Sequence, residues 1–387
     1  MKKIRIQCVL LTALAFLMGL SQFMIVGILN NLSHSFHVPI DQTGTLVTWF
    51  AIVYALTTPI INLSIGYAPL YKVLMVLFSL FAFGNVLTAI ADNFNLLLIS
   101  RLLTALASGP TMSIAITFAA AIAPPEKRSW IVSWVFSGFS IASVFGVPIG
   151  TWISDKWNWR LLFWIIFVLS IISIELLYLL LPHQLRQKKG HGFFRQLMIL
   201  SDKQILLGIL IPVFNFAAIY MVYTYLKPLL INKLGFSSDH VIIILFLYGL
   251  CGLVSNQISG HIANRRWIKN LGKFLVIQAI SLLTLFLTSN LKWFSLIAIL
   301  SMALTMSVLN SPIELFYMEV AEKNYPQSLV LASSFESIFS NVGVAIGSAA
   351  GGYTVSILGL NYLGLMGGLF SVLAISVLIV LNKIYVP

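Results

Sequence analysis

Twelve runs of mostly apolar residues follow one another along this chain with only short breaks between them. They fall at roughly 9–30, 45–66, 72–91, 96–121, 131–153, 161–181, 205–231, 240–262, 272–289, 293–316, 327–356 and 362–382. A membrane-crossing helix needs about 20 such residues, so twelve at about 22 each use about 264 of the 387. Only about 123 remain for eleven loops and two tails. The loops are therefore short, and no large soluble domain fits beside the bundle. Composition agrees: 59% of side chains are hydrophobic and 9% are charged, against roughly 25% charged in soluble domains. Water-soluble enzymes, disordered tails and secreted disulfide scaffolds are excluded. The fold class this implies is an all-α membrane protein.

The beginning of the chain imitates a secretory signal, with Lys2, Lys3 and Arg5 ahead of an apolar run. That run, Cys8 to Leu29, is too long for a signal core, and no small-residue cleavage site follows. We read it as an uncleaved first span. Cys8 and Cys251 have no metal-like spacing and imply neither a disulfide nor a zinc framework.

The net charge of +12 is a topology signal before it is anything else. With the N-terminus in the cytoplasm, 17 Lys and Arg fall on the inner side and 5 on the outer side (Lys156, Arg160, Lys227, Lys233 and Lys292). Arg101 lies within the fourth run, which closes the total of 23. This split predicts N-in and C-in and explains the basic balance without nucleic acid. The longest joint, 182–204, carries Arg186, Lys188, Lys189, Arg195 and Lys203. It suits contact with anionic headgroups. Six runs precede it and six follow, so the expected domains are bundles at 1–181 and 205–387 joined by a cytoplasmic linker at 182–204. A weak repeat supports two halves. Run 5 carries Gly138, Gly146, Pro148 and Gly150, and run 11 carries Gly343, Gly347, Gly351 and Gly352. Small residues so spaced let helices approach closely in lipid.

These residues carry a resemblance. The stretch GFSIASVFGVPIGTWISDKWNWRLLF at 138–163 resembles the span 5 antiporter motif of the major facilitator superfamily, in its twelve-span drug–proton antiporter branch. RLLTALASG from Arg101 is similar to that family's span 4 motif, Pro124-Pro125-Glu126-Lys127-Arg128 to its joint between spans 4 and 5, and Tyr223-Thr224-Tyr225-Leu226-Lys227-Pro228 to sugar-efflux members. The resemblance covers nearly the whole chain. It implies two pseudo-symmetric six-helix bundles and transport by alternating access, driven by a proton gradient without a bound cofactor. Three expected carboxylates are absent: Gln22, Gly66 and Asn264 stand where acids are usual.

Ionisable residues inside spans are costly and turn to the bundle interior or a water-filled cavity. Glu336 lies about ten residues into run 11, about 15 Å along the helix. At 100° per residue it shares a face with Ser340, Gly343 and Gly347, so it points into protein. It reads either as a proton-coupling group or as a protonated carboxyl hydrogen-bonded between helices. Glu175 and Glu314 are further coupling candidates, although Glu175 lies within snorkelling reach of the interface. Glu319 suits a cap or a cytoplasmic ion pair. Arg101 needs buried acceptors, and Gln22 is the expected partner; the family resemblance ties this arginine to proton transfer. The candidate solute lining combines Gln22, Tyr54, Trp134, Asn215, Tyr220, Tyr223, Gln257 and Asn310, with Trp49, since small-molecule sites are apolar with a few oriented polar groups.

There is no phosphate-binding loop and no histidine spacing that suits a metal. The expectation is a non-enzymatic secondary transporter, a monomer in the plasma membrane. Lys-, Ile- and Asn-rich usage points to a bacterium. It would export a small neutral or cationic solute such as a sugar, nucleoside or drug in exchange for protons. The alternatives are an uncoupled facilitator or uptake carrier, and a non-transporting sensor or partner protein of the same fold.

Overall fold

The computed structural model describes residues 2–64, 68–124, 128–185, 197–262 and 267–384. All regular structure among them is helical. The helices are α1 Lys2–Phe36, α2 Ile40–Ser64, α3 Leu70–Ile90, α4 Phe94–Ile122, α5 Arg128–Ile141, α6 Val147–Lys156, α7 Trp159–Leu180, α8 Lys203–Tyr223, α9 Ser238–Ile262, α10 Trp267–Leu287, α11 Lys292–Thr305, α12 Asn310–Asn324, α13 Leu329–Ile357 and α14 Leu363–Ile384. Eleven stretches among the described residues are long and apolar enough to cross a membrane; α11 and α12 count together as Lys292–Asn324, and α5 and α6 together as Ile131–Lys156. Polar joints start helices where caps are needed. The side chains of Asn93, Asn158 and Asp202 accept from the backbone N–H of Leu96, Arg160 and Gln204 at 2.8, 2.9 and 2.8 Å.

The chain forms two compact units: Met1–Val38 with Leu56–Lys189, and Pro39–Ala55 with Gly190–Pro387. Residues 186–196 of the expected linker lie outside the described residues, as do Gly66 and Asn264.

In unit 1, α1 lies along the glycine face of α5 and α6. A Cβ on Gly138 would collide with the carbonyl of Thr12, one on Gly146 with Leu20 and one on Gly150 with Met24. Between α5 and α6 the helix widens to a π-turn at Ala142–Gly146. Pro148 accounts for this, because it has no N–H and its ring crowds the carbonyl four residues back.

Unit 2 repeats the device. A Cβ on Gly343, Gly347 or Gly351 of α13 would collide with the carbonyls of Val213, Ala217 or Met221 of α8. The two pairs share one register. A spacing of 205 residues separates Gly138 from Gly343 and Gly146 from Gly351, and 201 separate Thr12 from Val213 and Leu20 from Met221. Two contacts tie the N-terminal part of α2 into unit 2. Thr48 Oγ1 and Ser348 Oγ share a 2.7 Å hydrogen bond. The fully buried Tyr225 ring lies in a socket of Gly44, Gly351 and Gly352, where no larger residue has room.

The apolar run read at 293–316 is not one continuous helix. It breaks at Met306–Leu309, between α11 and α12. Pro312 cannot donate to Val308. The backbone N–H groups of Ser307 and Ser311 are instead taken by Ser255 Oγ and Ser259 Oγ of α9, both at 2.9 Å. Broken helices survive at membrane depth when side chains satisfy the freed backbone in this way. The run read at 205–231 also ends early: α8 stops at Tyr223, and a π-turn at Leu229–Lys233 follows Pro228.

Candidate functional site

Unit 2 gathers two polar sets. The first surrounds Glu336, on the helical face predicted for it. Ser340 Oγ donates to Glu336 Oε1 at 2.8 Å, one turn along α13. Tyr54 of α2 shares a hydrogen bond with the Ser337 side chain and lies within electrostatic range of Glu336. Tyr317 and Glu314 of α12 are within that range too. Tyr317 Oη itself donates to the Gly208 carbonyl at 2.9 Å, and its ring meets Phe335 edge-on at 5.6 Å. Among the described residues, neither Glu336 nor Glu314 has an ion pair with a basic side chain. With no cation offered by the described residues, a buried carboxyl is held by hydroxyl donors such as Ser340 or takes up a proton. The glycine ladder of α13 sets the depth, since Gly343 and Gly347 press α13 against α8 just beyond Ser340.

The second set lies on α8 and α9. Tyr220 and Tyr223 pack edge-on at 5.3 Å, and Tyr223 stacks on Tyr248 at 5.0 Å with 16° between ring planes. Asn215, on α8, is 0% exposed, and among the described residues neither of its amide atoms has a hydrogen-bond partner.

In unit 1 the buried cation is Arg101, 1% exposed. Its expected partner is corrected. Arg101 Nη1 donates to Ser21 Oγ at 3.0 Å and Nη2 to the Ser21 carbonyl at 2.8 Å. Ser21 Oγ donates onward to Asn85 Oδ1 at 2.8 Å, and the guanidinium stands 5.8 Å from the Phe163 ring. Gln22 Oε1, one residue away, has no hydrogen-bond partner among the described residues. Adjacent residues on a helix point 100° apart, so the neighbour of the predicted partner faces Arg101.

The remaining candidates disperse. Trp134 and Trp49 are 44% and 46% exposed. Gln257 is exposed on α9, flanked by Ser255 and Ser259. Asn310 Oδ1, at the break before α12, has no hydrogen-bond partner among the described residues. Glu175 of α7 is exposed among the exposed side chains of Ile171, Ile172, Leu176 and Leu179, and belongs to unit 1. Glu319 is exposed at the far end of α12. Tyr317, Ser337, Tyr248 and Ser21 were missed by sequence reading. Their signal was faint: Ser337 follows Glu336 in its run, Tyr317 lies just past the end of the run read at 293–316, and Tyr248 precedes a glycine in the apolar first half of its run.

Comparison with known proteins adds the following. The family model described as Major Facilitator Superfamily matches residues 11–330. The chain is 32% identical over 362 residues to the uncharacterized MFS-type transporter YtbD of Bacillus subtilis, covering 93% of this chain and 91% of that one. It is 28% identical over 366 residues to a probable sugar efflux transporter of Helicobacter pylori, covering 93% and 91%. Among solved structures, a bacterial homologue of the human lysosomal transporter Spinster superposes with a TM-score of 0.77 at 16% identity, over 98% of this chain and 97% of that one.

Proposed function

The chain belongs to the Major Facilitator Superfamily, and from that premise we propose that it exports a small neutral or cationic solute across the bacterial plasma membrane in exchange for protons. That it is a multi-pass membrane transporter and not an enzyme follows from the family itself. The finer reading rests on one observation. Glu336 is a carboxyl within α13 whose hydrogen bond comes from a hydroxyl, with no basic partner among the described residues. Such a group changes charge by taking or losing a proton, and can report each change to Tyr54, Tyr317 and Glu314 around it. On this reading α13 is the eleventh of twelve spans, with both termini cytoplasmic, as the 17-to-5 distribution of basic residues favours. The antiporter-motif glycines of α5 and α6 hold α1 and govern the rocking of unit 1, and the protein acts as a monomer in the bilayer. A sugar or other polar solute is favoured by the similarity to a protein named a probable sugar efflux transporter.

The test is counterflow in proteoliposomes with sugars, nucleosides and cationic dyes, with and without an imposed pH gradient. Gradient-driven flux in the wild type that is lost in Glu336→Gln, with exchange retained, supports the proposal. Flux indifferent to the gradient contradicts it. One observation favours a second reading, an uncoupled facilitator. Gln22, which cannot titrate, holds the position of a customary span 1 acid. Gradient-independent flux in the wild type is the outcome that reading predicts.

A further inference from the structure

The break between α11 and α12 is held from two sides, by different helices. On the α11 side, Thr305 Oγ1 stands 3.3 Å from Gln278 Oε1 of α10, and Gln278 Nε2 donates to Ser371 Oγ of α14 at 3.0 Å. Further along the same pair of helices, Ser281 Oγ and Ser301 Oγ are 2.8 Å apart, and Ser295 Oγ donates to the carbonyl of Thr288, just past α10, at 2.6 Å. These bonds tie α11 to α10. On the α12 side the tie runs to α9. Ser255 and Ser259 are both 0% exposed, and each accepts a backbone N–H from 52 residues further on, at Ser307 and Ser311. The two halves of one apolar run are thus fastened to different neighbours.

Ser259 does for α12 what an N-cap does. The first N–H groups of a helix have no partner inside it, and the side chain at the N-cap commonly takes one. Leu309 holds that position in α12 and has no acceptor to give. Ser311 is the second residue of the helix, and its N–H goes to Ser259 instead. The cap comes from another helix, so it fixes both where α12 begins and how it is turned. Turn matters here, because Asn310, Glu314 and Tyr317 recur at helical spacing along one face of α12. Glu314 and Tyr317 are within electrostatic range of Glu336 on α13. Rotation of α12 at Ser311 moves them both.

We infer that Ser255 and Ser259 are positioning residues for proton coupling: by capping α12 from α9, they set how Glu314 faces Glu336. This rests on the proton-carrying role proposed above for Glu336. A displacement of α9 then carries α12 and Glu314 with it, while α11 stays with α10.

The experiment reads the carboxyl itself and needs no solute. Dicyclohexylcarbodiimide adds to a protonated carboxyl in apolar surroundings, and mass spectrometry gives the fraction of Glu336 labelled at each pH. The full-length protein is labelled as wild type, Ser255→Ala, Ser259→Ala, Glu314→Gln and Ser281→Ala. Glu314→Gln removes the neighbouring charge, and so calibrates the direction in which the half-labelling pH moves. Ser255→Ala and Ser259→Ala should move it the same way. Ser259→Thr, which keeps the hydroxyl, should return it. Amide exchange at Ser307 in Ser255→Ala, and at Ser311 in Ser259→Ala, should quicken about three- to tenfold for the one hydrogen bond lost. Ser281→Ala loses a bond between α10 and α11, and should lower the unfolding temperature without moving the half-labelling pH. An unmoved half-labelling pH in both α9 variants, or an equal movement in Ser281→Ala, overturns the positioning role. Wild-type Glu336 whose labelling ignores pH contradicts the proton-carrying reading itself, and the positioning role falls with it.

Discussion

The Arg101 cluster shows neutral acceptors gathered on a buried charge. Two guanidinium nitrogens converge on the hydroxyl and carbonyl of one serine, and Asn85 takes the serine's own proton. A hydrogen bond to a charged group contributes about 1.5–3 kcal/mol. Ser21→Ala keeps the carbonyl but loses the hydroxyl, so it should lower the unfolding temperature in detergent. Gln22→Leu removes a partnerless oxygen and should leave that temperature level or higher. The opposite order would put Gln22 back as the partner. Sequence identified Arg101, Glu336 and Asn215 as polar residues in apolar runs. It could not choose between Ser21 and Gln22, because periodicity fixes which residues share a face and not how the helix is rotated toward its neighbour.

Among the elements, the decisive contacts are helix pairs drawn together until backbone meets backbone. α13 on α8 and α1 on α5 use the same spacing of small residues. Association in lipid depends on such packing, since burial from water contributes little there. Gly347→Val would drive a branched side chain into the Ala217 backbone. Overpacking of that kind costs about 1–3 kcal/mol or more, so the variant should show a lowered unfolding temperature or an aggregated elution profile. Gly260→Ala, with open space around it, should behave as wild type. These ladders were legible in sequence, because glycines four residues apart are a pattern. The break between α11 and α12 was not. Its apolar run is unbroken, and the cue was spread over two helices: Pro312 on one, and Ser255 and Ser259 on the other. The packing of Tyr225, quoted only as part of a motif, was not legible for the same reason, because its socket is built from glycines far along the chain.

At the scale of the molecule, membership of the superfamily fixes the fold, and the proposed coupling to protons rests on the chain's own residues. The customary acids at three positions are replaced by Gln22, Gly66 and Asn264. If protons drive this protein, Glu336 carries them. The most direct measurement follows the protons themselves. A pH-sensitive dye is sealed inside proteoliposomes loaded with the solute that counterflow identifies, and the solute is allowed to run out. Antiport predicts that the lumen acidifies in the wild type as protons enter. Glu336→Gln should release solute with no change of lumenal pH. Wild-type protein that empties the vesicles while the dye stays constant would contradict the account and make the chain a facilitator.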